Sequence, residues 1–295
     1  MTDIIRWLVK QGVPHSVEEK FSNLTTMKCG GNIALTVTPT RVSDLLLLIN
    51  LLRKTGVRYM ILGMGSNVVA SEKPFDGVVV NLRKLKGLKR HGNTIVALAG
   101  TSTVAVYNVA LQYNLAGSEF LSCLPATIGG AAVMNAGCFG QTMADIVESV
   151  LVVKDGKIMT FSNSDCCFLR RSSALSDCIV VAVKLKFTVC EGVKERAETM
   201  RQLKKDRQPL DMPSAGCVLY CADGGCIASM EADRLGFKGM RCGGAEVSNK
   251  HAGFVLNVDK ARGEDIYYLV SLMLNTLREK TGCDIRTEVR FVGMP

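Results

Sequence analysis

A chain of 295 residues, 47% hydrophobic and 21% charged, is long enough for two or three packed units and too apolar to stay disordered. Its net charge of +9 suits an anionic partner, but scattered basic residues and only 6% aromatics argue against nucleic acid and for a small phosphorylated ligand. No apolar run reaches the ~18 residues of a membrane span; among twelve cysteines, Cys217, Cys221 and Cys226 form a loose cluster, but no CxxC or nearby histidine completes a zinc set, so reduced thiols and no metal are expected.

Taken in chain order, the first thirteen residues read as an amphipathic helix. Asp3, Arg6 and Lys10 interrupt its apolar part, so it is no export signal, and a cytoplasmic location is expected. From Arg41 a leucine-rich helix follows, with Ser43 or Asp44 as cap and Gly56 as its stop. "VRYMIL" (57–62) is a buried strand, and "GMGSN" (63–67) is a tight loop after it. "GVVVNL" (77–82) and "TIVALAG" (94–100) are further strands, and 103–115 a helix. Strands are expected at 149–155 and 157–162, joined through the hairpin signal "KDGK", and at 178–189. A charged helix, 193–208, ends at Pro209 and leads into a last unit, which closes with a helix near 264–281 and a strand at 288–293.

Helix–strand–loop–strand order points to α/β-type lobes rather than a bundle. Two loops carry chemistry. In 62–67, Gly63 and Gly65 allow close approach of backbone N–H groups to a ligand, and Ser66 and Asn67 add side-chain hydrogen bonds. In "PATIGGAAVMNAG" (125–137), Gly129, Gly130, Asn135 and Gly137 form a second such set, with Thr127 at its entrance. Neither loop matches a Rossmann or P-loop pattern, so one extended pyrophosphate ligand across both loops is the better reading. Cys217, in "PSAGCVLY" (213–220), is either a small buried hydrophobe or a thiol presented by a permissive turn as proton donor or nucleophile.

Taken together, "NLTTMKCGG" (23–31), "LGMGSN" (62–67), "LPATIGGAAVMNAGCFG" (124–140), "PSAGC" (213–217), "RCGGAEVSNKHAGFVLNV" (241–258) and "EVRFVG" (288–293) stand in a telling order. The chain resembles the UDP-N-acetylenolpyruvoylglucosamine reductase (MurB) family over nearly its whole length. The short path from Tyr220 to Gly239 is like that of its compact second type. The resemblance implies an α+β protein: a two-lobed FAD-binding fold of the p-cresol methylhydroxylase type, plus a C-terminal substrate-binding domain. The expected division is 1–85 and 86–195 for the FAD lobes and 196–295 for the substrate.

The resemblance further implies FAD and NADPH as cofactors and a monomer acting on a UDP-sugar in cell-wall precursor synthesis, hence in cell shape and division. The flavin would pass hydride to the enolpyruvyl group of UDP-N-acetylglucosamine-enolpyruvate, giving UDP-N-acetylmuramate. Arg170, in "LRRS", would meet the dianion formed at the substrate carboxylate, and Glu288 would hold hydrogen bonds around it. Cys217 falls where the family's serine protonates the α-carbon. Arg207 is the candidate for the substrate phosphates, and Tyr220 for the nicotinamide or sugar pocket. Ala126, Leu169 and Met230 depart from the family pattern. The alternatives are another flavin-dependent oxidoreductase on the same fold, or a non-catalytic UDP-sugar or flavin-binding protein.

Overall fold

The computed structural model describes residues 1–294, which fall into two compact units. The first comprises Met1–Val17, Leu35–Met64 and Gly77–Lys204. The second comprises Glu18–Ala34, Gly65–Asp76 and Lys205 onward, so two segments from the N-terminal third fold with the C-terminal third.

The first unit carries two sheets. The smaller has the order His15–Ser16, Ile33–Val37, Phe75–Asn81, Tyr59–Leu62. Its last pair is parallel, with Tyr59 opposite Val78. Val78, Val79 and Val80 are all fully buried, as a strand covered on both faces requires. The larger sheet is antiparallel, in the order Lys157–Ser162, Val147–Lys154, Ile179–Lys186, Thr94–Leu98, Leu88–His91. One hydrophobic core, which includes Leu8, Leu48, Val80, Val150 and Val183, is shared by both sheets.

Local signals set many of these boundaries. The helix Val42–Thr55 buries Leu45, Leu48, Ile49 and Leu52 on one stripe and stops at Gly56, whose φ is 64°. Its N-cap is Arg41 rather than Ser43 or Asp44; Asp44 sits in the first turn and accepts a 2.9 Å hydrogen bond from the Arg41 side chain. Lys154 pairs with Lys157, and Asp155 and Gly156 both take positive φ, giving the two-residue turn that "KDGK" predicts. The helix expected over 103–115 ends at Gln112, because Asn114 turns left-handed and releases Leu115–Ala116 to pair with Thr188–Val189. That pairing splits the strand expected over 178–189 in two.

In the second unit an antiparallel sheet has the order Ser214–Cys217, Phe254–Asn257, Ala245–Val247, Arg241–Cys242. The helix Gly263–Thr281 packs on the unit's core through Ile266, Leu269, Val270, Met273 and Leu277, a helical stripe. Two further strand pairs complete it: Leu219–Cys221 with Ile285–Thr287, and Val68–Ala70 in parallel with Arg290–Val292. The final strand is therefore shorter than the expected 288–293, because Glu288 bonds elsewhere. Among the described residues no helix is long and apolar enough to cross a membrane.

Candidate active site

The first unit holds Gly63, Thr127, Gly129, Gly130, Asn135, Gly137 and Arg170. The loops at 63 and 127 touch: a Cβ on Gly63 would stand 2.4 Å from Thr127 Oγ1. Thr127 caps the helix Ile128–Val133 by accepting from Gly130 N–H. Arg83 donates from Nε to Gly63 O at 3.1 Å and from Nη2 to Met64 O. A trans peptide holds its C=O and N–H on opposite sides, so tying these two carbonyls to Arg83 turns the N–H groups of Met64 and Gly65 away from it.

Gly129 and Gly137 are required by packing. A Cβ on Gly129 would lie 2.8 Å from Ala99 Cβ, and one on Gly137 only 2.1 Å from Gln141 O. Gly130 is exposed. Asn135 is buried with φ at 41° and has both ends of its amide engaged: Nδ2 donates to Leu169 O at 3.0 Å, and Oδ1 accepts from Ala144 N–H at 2.9 Å.

Those bonds bear on Arg170. Leu169 and Ser172 exchange backbone hydrogen bonds of 2.9 and 3.3 Å across a two-residue turn, with Arg170 and Arg171 at its tip. Asn135 grips one side of this turn, and Ser173, donating to Val133 O at 2.7 Å, grips the other. Arg170 is exposed and makes no side-chain hydrogen bond or ion pair among the described residues. Leu169, where the family pattern has tyrosine, is 68% exposed. Ala126 is half-buried, and its carbonyl accepts from Thr103 N–H at 3.0 Å.

The second unit holds Gly65, Ser66, Asn67, Arg207, Cys217, Tyr220 and Glu288. Gly65 has a φ of 69°, and a Cβ there would meet Leu24 O at 2.3 Å, so no other residue fits without movement. Ser66 is half-buried beside it. Asn67 Nδ2 donates to Glu288 O at 2.8 Å, and Glu288 N–H donates to Val218 O at 2.9 Å. Both backbone groups of Glu288 are thus fixed, and the Val218 that holds it directly follows Cys217.

Cys217 is re-aimed by a bulge. Ser214 pairs with Leu256 and Cys217 with Phe254, so three steps on one strand face two on the other. Gly216, at φ 79°, absorbs the extra residue. This is what the "SAG" before the thiol does: it delivers a half-buried Cys217 to the strand end beside Glu288. Tyr220 pairs across strands with Arg286, and its hydroxyl meets that guanidinium. Arg207 is exposed at the end of the helix Val193–Arg207. Met230 is 64% exposed on the helix Ala228–Arg234. A separate cleft in this unit, of about 420 Å³ and edged by Lys28, Glu72, Lys260 and Arg262, contains none of the predicted residues.

Residues 33–162 match the family model for the FAD binding domain, and 208–292 match that for the UDP-N-acetylenolpyruvoylglucosamine reductase C-terminal domain. An FAD binding domain followed by such a C-terminal domain defines a flavin-dependent oxidoreductase. The UDP-N-acetylenolpyruvoylglucosamine reductase of Caldanaerobacter subterraneus is 35% identical over 99% of this chain and 98% of its own. That of Streptococcus pneumoniae is 32% identical over 97% and 96%. The crystal structure of the Thermus caldophilus enzyme aligns over 95% of this chain and 98% of its own, with a TM-score of 0.78 at 28% identity. The chain belongs to the UDP-N-acetylenolpyruvoylglucosamine reductase family.

The residues present fit FAD. Gly63 leaves a place that a Cβ would fill, and the peptide N–H groups turned from Arg83 offer donors on bare backbone, which is what a pyrophosphate needs.

Proposed function

We propose that the chain reduces UDP-N-acetylglucosamine-enolpyruvate to UDP-N-acetylmuramate, using FAD and NADPH, in peptidoglycan precursor synthesis. Two observations support this reading: family membership over nearly the whole chain, and the convergence of Cys217 and Glu288 on Val218. When bound, FAD would accept hydride from NADPH and supply it to the enolpyruvyl carbon. Gly63, Gly65, Ser66, Asn67, Thr127, Gly129, Gly130 and Gly137 belong to the two loops that would hold it. Asn135 acts there as a positioning residue for the Arg170 turn.

The remaining chemistry belongs to the chain. Hydride addition pushes electron density onto the substrate carboxylate, and Arg170, exposed and without an ion pair, neutralises the dianion. Glu288 holds the hydrogen bonds around that carboxylate from a fixed backbone. Cys217 delivers the proton to the α-carbon. A thiol is a stronger acid than an alcohol and so gives a proton to a carbanion-like centre more readily. Arg207 serves the substrate phosphates and Tyr220 the sugar or nicotinamide. The regions 1–85 and 86–195 serve FAD and 196–295 the substrate, in a monomer.

Replacing Cys217 tests the proposal. Cys217→Ala should leave flavin reduction by NADPH unchanged and slow α-carbon protonation by ~10²-fold or more, followed by solvent deuterium incorporation. Cys217→Ser should recover much of that loss. An alanine variant that turns over at the parent rate makes the thiol packing only. The exposure of Leu169 favours a second reading, binding without turnover; flavin that NADPH bleaches but substrate never re-oxidises would support it.

A further inference from the structure

Three sulfurs that the proposed reaction does not use gather in the second unit. The Sγ atoms of Cys221, Cys226 and Cys283 all lie within 4.8 Å of one another. Zinc holds thiolates at about 2.3 Å in a tetrahedron, which puts neighbouring sulfurs ~3.8 Å apart. The cluster is therefore within small side-chain adjustments of that geometry.

The backbone brings these residues together. Cys221 pairs with Ile285 across two strands, and Ala222 N–H donates to Asp284 O, which brings the residue before Asp284, Cys283, alongside. Cys226 returns through "CADGGC" (221–226), a C-x4-C turn of the span zinc sites use, with Gly224 at φ 74°. A Cβ on Gly225 would lie 3.3 Å from both Cys283 Sγ and Asp223 Oδ1, so glycine keeps the centre open.

Asp223, which is outside this mutually close set, adjoins it at Cys221 and is the candidate for a fourth donor. Its Oδ1 accepts from Cys221 Sγ at 2.7 Å and from Gly225 N–H at 3.0 Å, and its Oδ2 accepts from Asp284 N–H at 3.0 Å. The carboxylate is thus fixed against the first sulfur, where it can bind a cation once that thiol loses its proton.

We propose that Cys221, Cys226, Cys283 and Asp223 form a structural site for a thiophilic divalent cation, zinc by the softness of three thiolates and the tetrahedral set. Binding displaces the thiol protons to solvent and changes no oxidation state. The ion ties the strand Leu219–Cys221 to the end of the helix Gly263–Thr281, clamping the element that carries Tyr220.

The test uses the full-length flavin-loaded protein, freshly reduced and passed through a chelating resin, then titrated with cobalt(II). One equivalent should produce a thiolate-to-cobalt charge-transfer band and intense ligand-field bands to the red of the flavin, and one equivalent of zinc should bleach them. Cys226→Ser and Cys283→Ser, both at partly exposed positions, should each lower affinity at least tenfold and weaken the charge-transfer band. Cys190→Ser, at an exposed cysteine outside the cluster, should change nothing. Asp223→Asn should shift the ligand-field bands. Absence of a stoichiometric cobalt complex, a complex indifferent to Cys226 and Cys283, or a disulfide joining two of the three in the protein as isolated would overturn the proposal; ligand-field bands unmoved in Asp223→Asn would remove Asp223 from it.

Discussion

Arg170 stands at the tip of a two-residue turn with its guanidinium in solvent, whereas Glu288 lies between two segments with its own N–H and C=O both bonded. The turn is held from beneath by side chains, Asn135 on Leu169 O and Ser173 on Val133 O. The glutamate is held through its backbone, by Val218 and Asn67. An exposed group supported by side chains can adjust to a changed ligand. A group anchored at its own backbone cannot, so in the proposed reaction Glu288 would fix where the substrate carboxylate sits.

The largest expected effects test that contrast. Arg170→Met and Glu288→Gln should each slow flavin re-oxidation by substrate ~10²–10³-fold, with reduction by NADPH untouched, in stopped-flow absorbance. The conservative pair separates the two supports: Arg170→Lys should recover part of the rate, while Glu288→Asp, one methylene short on a fixed backbone, should recover little. The reverse pattern would break the comparison.

A smaller effect is expected one step back. Asn135→Ala leaves Ala144 N–H without its partner and Leu169 O with only its 3.3 Å bond from Ser172 N–H, which should cost about 1–3 kcal/mol in denaturant unfolding. It should also slow re-oxidation several-fold while leaving NADPH reduction alone. Equal slowing of both half-reactions would mean that Asn135 supports the loop as a whole rather than the Arg170 turn.

Asn135 also shows where sequence reading stops. The glycine loops, the stop at Gly56 and the "KDGK" hairpin are legible because each depends on a few neighbouring residues. Asn135 looks like a ligand contact in a glycine-rich stretch, yet both ends of its amide meet groups elsewhere in the chain. Arg83 looks like surface charge and holds two loop carbonyls. No local signal shows that 18–34 and 65–76 fold with the C-terminal third, or that Cys283 joins Cys221 and Cys226 in place of Cys217. These depend on pairings between distant strands, which periodicity does not encode. Cys217 was legible as an oddity, and the bulge at Gly216 is its physical reason.

The smallest effect is a pH dependence confined to the glutamate side. Burial pushes the His251 imidazole below its ordinary range, with Lys238 adding to the shift. Its Nδ1 accepts from Gly253 N–H at 3.1 Å, and Gly253 O in turn accepts from Val218 N–H. The unfolded chain binds this proton more readily than the folded protein does. Stability is therefore unaffected above the usual histidine range, near 6.5, and falls as pH drops below it. His251→Gln should flatten that acid limb in denaturation midpoints measured across the range. A limb unchanged in the variant would place the acid sensitivity elsewhere.

The most direct measurement is an anaerobic titration of the purified yellow protein. NADPH should bleach the flavin, and one equivalent of UDP-N-acetylglucosamine-enolpyruvate should then restore its colour and yield UDP-N-acetylmuramate. Protein that takes up no FAD, or reduced flavin that stays bleached when the substrate is added, would contradict the account.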